Sequence, residues 1–245
     1  MISPRSFLAV LASRLRRSRA LQPITSERDG VVVPALAAAG EPVVQVWGAR
    51  ARGFKGIFGV HSWIAVKPSG ATEYTVYEVI GWRLRRSGSA VVVRCRPPNQ
   101  WLGAEAALYA EKRGRGVDAL IQRIDTLARE YPYANTYTLW PGPNSNTFVA
   151  WITRAVPDLE ADLPATAIGK DYTESIVSTA PSGSGFQLSL RGLFAVAASR
   201  VDGFELNLLT LNFGVSSSSL KLPIIGRVGV PRMPAAIAVE EPGQP

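Results

Sequence analysis

Between residues 43 and 95, runs of β-branched and aromatic residues follow one another with only short turn-forming segments between them. This succession limits the fold more than any other feature of the chain. Val43-Val44-Gln45-Val46-Trp47 predicts a strand, as do residues 59–67, 74–82 and 90–95. Lys67-Pro68-Ser69-Gly70 and Arg85-Arg86-Ser87-Gly88 carry turn chemistry. Connections this short suit antiparallel pairing, since parallel neighbours need a long crossover. Pro97-Pro98 ends the sheet, and helices are expected over about 103–113 and 116–130. The second of these carries an apolar stripe of Val117, Leu120, Ile121, Ile124, Leu127 and Ala128. A third helix is predicted from Phe148, Val149, Ile152, Ala155 and Val156, stopping before Pro157. Pro181-Ser182-Gly183-Ser184-Gly185 reads as a flexible connection, and residues 186–214 read mostly as strands, with Gln187–Leu190 and Phe204–Leu208 alternating. The expected class is α+β, an antiparallel sheet packed on helices with an additional C-terminal β-rich segment.

Within 245 residues that are 47% hydrophobic, one full core fits with tails to spare. The division expected is a basic, partly apolar leader at 1–28, a single α+β domain at 40–230 and a disordered tail at 231–245. Of the net charge of +8, five positive charges sit in the first twenty residues, where Arg5, Arg14, Arg16, Arg17 and Arg19 occur without an acid. The weakly basic remainder makes a poor nucleic-acid partner. Two readings of the leader stand side by side, with a truncated or misassigned start as a third. On a helix, Phe7, Leu8, Leu11 and Leu15 would share a face and residues 5–20 would make a peripheral membrane contact; otherwise the segment is a disordered basic extension. It is too short to span a membrane and lacks the order of a secretory signal. These features leave the location unknown, cytoplasmic or peripheral at the inner membrane. A lone cysteine, Cys95, excludes an intramolecular disulfide and, with a single histidine, leaves a typical zinc site without ligands, so neither metal nor cofactor is expected. Cys95 is expected to pack as a small apolar residue.

The single histidine, His61, has no rival imidazole as a catalytic base. A hydroxyl becomes a nucleophile when an imidazole takes its proton and a third group fixes the tautomer. Ser145 opens the third helix, where free backbone N–H groups are able to hold an oxyanion. Capping by Asn144-Ser145 accounts for the same residues without chemistry, and a strand histidine beside Trp63 is equally at home in a core. Glu78 is the candidate third residue: pairing between residues whose numbers sum to about 139 would set it opposite His61. A slip of one residue would bring in Tyr77 or Val79 instead. Asn144, Asn146, Trp63, Tyr77, Lys170, Asp171 and Tyr172 are candidate binding residues, the last three as either solvated loop residues or part of the pocket lining.

The order of a histidine on an early strand, a sheet, helices, and then Asn144-Ser145-Asn146-Thr147-Phe148-Val149 at a helix start resembles the circularly permuted papain-like proteins, the lecithin:retinol acyltransferase-like and permuted NlpC-type families. That resemblance, over about 59–156, implies a histidine facing a cysteine, with Ser145 standing where the cysteine would be. The phrases His61–Pro68, Tyr77–Trp82, Trp140–Val149 and Ile168–Tyr172 are similar to the bacterial domain-of-unknown-function family numbered 3750, over about 43–230. What the first resemblance implies is an amide or ester hydrolase or acyl transferase acting on a small molecule, peptide or lipid. The substitution of serine for cysteine keeps a second reading open, a non-catalytic binding module on the same scaffold, associated with the envelope or membrane.

Overall fold

The β-branched runs form the middle of the first of two sheets. In the computed structural model, which describes residues 40–230, β1 (Val43–Arg50), β2 (Val60–Lys67), β3 (Thr75–Val79) and β4 (Val91–Cys95) pair antiparallel, joined by β5 (Gln100–Trp101) and β6 (Ala104–Arg113) in the order β4-β3-β2-β1-β6-β5. The leader at 1–28 and the tail at 231–245 lie outside the described residues. Both central strands are buried on both faces, which is why they read as nearly unbroken apolar runs.

Residues 103–113, expected as a helix, form β6 instead. Ala, Glu, Leu and Lys favour a helix in isolation, but the edge of β1 offers an unpaired row of backbone groups, and pairing with it overrides that weak preference. Along this strand burial alternates, with Ala106, Leu108, Ala110 and Lys112 inside. A register shift between Val46 and Trp47 leaves Tyr109 as an extra residue. Its ring lies over Gly48, where an added Cβ would come within 2.5 Å of it. Cys95, expected to pack inside, is exposed on the outer strand β4.

Helices α1 (Val117–Arg129) and α2 (Ser145–Ala155) cover one face of this sheet. Val44, Val46, Ile64 and Val66 meet Ile121, Ile124, Phe148, Val149 and Ile152 in one cluster. Complete burial of Phe148 or Ile152 contributes about 1.5–3 kcal/mol each. The other face carries Trp47, Trp63, Ala65, Val76, Trp101 and Leu108.

The C-terminal sheet is a seven-stranded meander: β7 (Val177–Ser178), β8 (Phe186–Leu190), β9 (Phe194–Ser199), β10 (Gly203–Leu208), β11 (Leu211–Val215), β12 (Ser219–Leu222) and β13 (Gly226–Gly229). The architecture is therefore α+β. Residues 181–185 are not a flexible connection: Pro181 and Ser182 are buried, and the Ser182 hydroxyl donates to Asp202 at 2.6 Å. Among the described residues, no helix is long and apolar enough to cross a membrane.

Candidate active site

His61 stands at the open end of β2, one residue from Ser62, and strand alternation sends the two side chains to opposite faces. Ser62 turns under α2 and donates to Asn146 Oδ1 at 2.8 Å. His61 turns toward the tryptophan-rich face, where its Nε2 meets Glu78 Oε2 at 2.9 Å. The β2–β3 register pairs Ile64 with Tyr77 and Ala65 with Val76, two residues away from the pairing that would set Glu78 opposite His61. A displacement of two preserves the face, so the carboxylate reaches the ring diagonally. Tyr77 points the other way and donates to Asp125 on α1 at 3.0 Å, which removes it as an orienting group.

Glu78 is fully buried and carries further partners that sequence reasoning missed. Arg94 Nη2 and Nε approach Oε1 at 2.7 and 3.1 Å, and Arg96 Nη2 lies 3.5 Å from Oε2. Their spacing of two on and just past β4 was the available signal, since residues so spaced share a face. Burial pushes the Glu78 carboxyl up, but the hydrogen bond from His61, the charge of Arg96 and the hydrogen bond from Arg94 hold it below its ordinary value. An ionised carboxylate can only accept, so Nε2 of His61 carries the proton and Nδ1 keeps its lone pair. Burial lowers the His61 pKa below its ordinary value and Glu78 only partly offsets this, leaving a neutral ring. Trp101, also missed, stacks on that ring with 3.6 Å between centroids. Trp63 lies further back, 5.8 Å from His61, with Arg96 over its ring and its Nε1 donating to Pro98 O at 2.7 Å.

Ser145 is the first residue of α2. Asn144 caps the helix: its Oδ1 accepts from the N–H groups of Asn146 and Thr147 at 2.9 and 3.3 Å, while Thr147 Oγ1 accepts from Asn144 N–H. The cap therefore uses two of the N–H groups expected to hold an oxyanion. The Ser145 N–H and hydroxyl bond to no described residue. Asn144 Nδ2 donates to Leu139 O and Ile168 O, and Asn146 Nδ2 donates to Val60 O and Ile168 O. Both asparagines are thus building elements of the site, although both border its cleft.

His61, Trp101, Asn144, Ser145 and Asn146 line one cleft of about 850 Å³, whose walls include Phe54, Phe58, Trp82, Leu102, Leu139 and Trp140 and whose charges are Arg52, Lys55 and Arg85. No hydrogen bond joins His61 to Ser145, so the structure brings them to one cavity without pairing them. Lys170 and Asp171 are elsewhere. Neither is a solvated loop residue or a pocket residue: both are buried, with the Lys170 ammonium paired to Asp171 and Glu205, and Asp171 accepting from Asn207 at 2.9 Å. Tyr172 packs edge-on against Tyr133. Among the described residues, Asp162, Asp202 and Glu205 lie close enough to share a cation, but the ammonium of Lys221 already pairs with Asp162 and Glu205.

A family model described as "Protein of unknown function (DUF3750)" matches residues 41–172, which include the first sheet, both helices, His61, Glu78 and Ser145. No curated protein and no solved structure matches the chain.

Proposed function

The chain belongs to the DUF3750 family, and we propose that it is an ester or amide hydrolase or acyl transferase on a permuted papain-like scaffold. The observation that carries this reading is the buried His61–Glu78 pair, whose unpartnered Nδ1 shares a cleft with the unbonded hydroxyl at the start of α2. Ser145 Oγ attacks the carbonyl carbon while its proton passes to His61 Nδ1. Glu78 holds the ring in the required tautomer and stabilises the imidazolium. The Ser145 N–H is the remaining first-turn donor for the oxyanion. Collapse of the tetrahedral intermediate expels the alcohol or amine, which takes the proton from His61. Water or an acceptor alcohol then attacks the acyl-serine by the same route in reverse. The order of histidine strand, sheet and nucleophile helix supports the papain-like assignment.

Labelling with a fluorophosphonate probe tests the reading. Wild-type protein is expected to label, and Ser145→Ala and His61→Ala to lose labelling while melting within a few degrees of wild type. Ser145→Cys, made with Cys95→Ser to remove the exposed thiol, is expected to gain iodoacetamide reactivity.

The absent His61–Ser145 hydrogen bond and the diversion of two N–H groups into the Asn144 cap favour a second reading, a binding module that holds an apolar ligand in the same cleft. No labelling in wild type and no thiol reactivity in the Ser145→Cys chain would leave that reading in place.

A further inference from the structure

The C-terminal sheet is built inside out. Its inward face carries Gln187, Ser189, Glu205, Asn207, Asn212 and Lys221, all buried. They are held by the loop after α2: Gln187 and Ser189 donate to Asp171 O at 3.0 and 2.7 Å, Asn212 to Ala165 O at 3.2 Å, and the Lys221 ammonium pairs with Asp162. Strand alternation then puts the apolar residues outside. Register pairs Phe186 with Ala198, Leu188 with Val196, Leu206 with Phe213, Leu208 with Phe194 and Leu211, and Leu220 with Val215 and Val228. Phe186, Phe204, Phe213, Leu188 and Leu220 are all between 42% and 52% exposed, so nothing in the described residues covers this face. No aspartate or glutamate stands at an outward position of β7 to β13 among the described residues. Isolated exposed apolar side chains are ordinary, but a continuous face across seven strands marks an interaction surface.

We propose that this outward face docks onto an anionic lipid surface. Two observations select lipid over a second copy of the chain. The first is charge: the chain carries +8, concentrated in arginines around an apolar leader, so copies repel one another while anionic headgroups attract. The second is continuity. Leu211 and Ile224 line a small cavity of about 240 Å³ together with Phe58, Trp140 and Ile168, and those three also line the main cleft. Trp140 Nε1 donates to Thr210 Oγ1 at 2.7 Å, fixing the cleft wall to the β10–β11 turn. The exposed apolar residues Phe54, Trp82 and Leu102 surround the cleft beyond the sheet. Exposed apolar side chains thus run from the sheet along the shared wall of Phe58, Trp140 and Ile168 to the cleft margin, more than the strands of a second sheet would cover. The proposal stands on the sheet and does not depend on chemistry at Ser145.

The test uses the full chain carrying Cys95→Ser and Leu220→Cys, labelled at residue 220 with a polarity-sensitive fluorophore. Phosphatidylglycerol vesicles are expected to pellet the protein and shift the label to the blue, with weaker binding to phosphatidylcholine alone. Phe204→Asp with Phe213→Asp is expected to reduce vesicle affinity roughly tenfold or more while leaving the circular dichroism spectrum unchanged. Pelleting without a shift would mean that the leader alone holds the protein, and would overturn the proposal. So would a shift that grows with protein concentration in the absence of vesicles, which would identify a second copy as the occupant. Failure to pellet with either vesicle overturns it outright.

Discussion

At residue scale, Glu78 governs the site because one buried carboxylate answers to an imidazole and two guanidiniums at once. The hydrogen bond from His61 and the two arginines keep it ionised against burial, and only an ionised carboxylate fixes the histidine tautomer that exposes Nδ1. Reactivity requires neutral His61, so labelling is expected to fall as pH drops through the folded-state pKa, which burial places below the ordinary histidine value. Glu78→Gln removes the influences that raise that pKa. Its acid limb is expected at lower pH than wild type, with the plateau rate reduced roughly tenfold or more, both read from probe labelling against pH. Stability follows the same sign. Folded His61 holds a proton less readily than the unfolded chain, so stability declines as pH falls from the ordinary value through the folded one. The pairing of His61 with Glu78 was open to sequence reasoning as a choice of face. The exact partners were not, since a two-residue displacement leaves every apolar residue on its proper side.

At element scale, helix α2 depends on Asn144, which satisfies two first-turn N–H groups and ties the helix start to the carbonyls of Leu139 and Ile168. Gly169 makes room for it: its backbone has φ +95°, and an added Cβ would sit 2.4 Å from the Asn144 amide. Asn144→Ala is expected to cost about 1–2 kcal/mol in a denaturant titration. It should also diminish labelling at Ser145, because the hydroxyl is carried by the turn that the cap organises. The predictions of α1 and α2 succeeded because their stripes repeat at three and four residues and their ends carry stop signals. Residues 104–113 defeated the same reasoning, since a strand's partner is a distant stretch of chain whose claim on the segment does not appear in local propensity.

For the whole molecule, the joint between the C-terminal sheet and the rest is ionic. Glu205 lies between the ammonium groups of Lys170 and Lys221, and Asp162 joins Lys221 to Arg227 at 2.6 Å on the arginine side. Burial pushes Glu205 up, but the two lysines overcome this and hold it down at about 2. Its contribution to stability is therefore complete above the ordinary carboxylate value and lost as pH falls toward about 2. Asp202, raised by burial, works against that trend. Glu205→Ala takes one carboxylate partner from each of two buried ammonium groups, leaving Lys170 with Asp171 alone and Lys221 with Asp162 alone, and is expected to destabilise by about 3–5 kcal/mol. Circular dichroism melts across pH 2 to 7 check both statements: the variant should melt far lower at neutral pH, and the difference should narrow in acid.

What the chain's own sequence determined was local and periodic: strand runs, two amphipathic helices, an alternating C-terminal segment, and an α+β class that follows from them. It also supplied the singular imidazole, which needed no structure to be noticed. Alternation could say that polar and apolar residues of the last sheet lie on opposite faces, but it could not say which face is buried. That decision belonged to tertiary structure, where Lys170, Asp171 and Asp162 offer partners that only the polar face can satisfy. The same holds for the cleft: Trp101 reaches His61 and Arg94 reaches Glu78 only after the sheet has formed. The physical reason is that periodicity records the geometry of a segment with itself, whereas ion pairs and stacking depend on separations that folding alone creates.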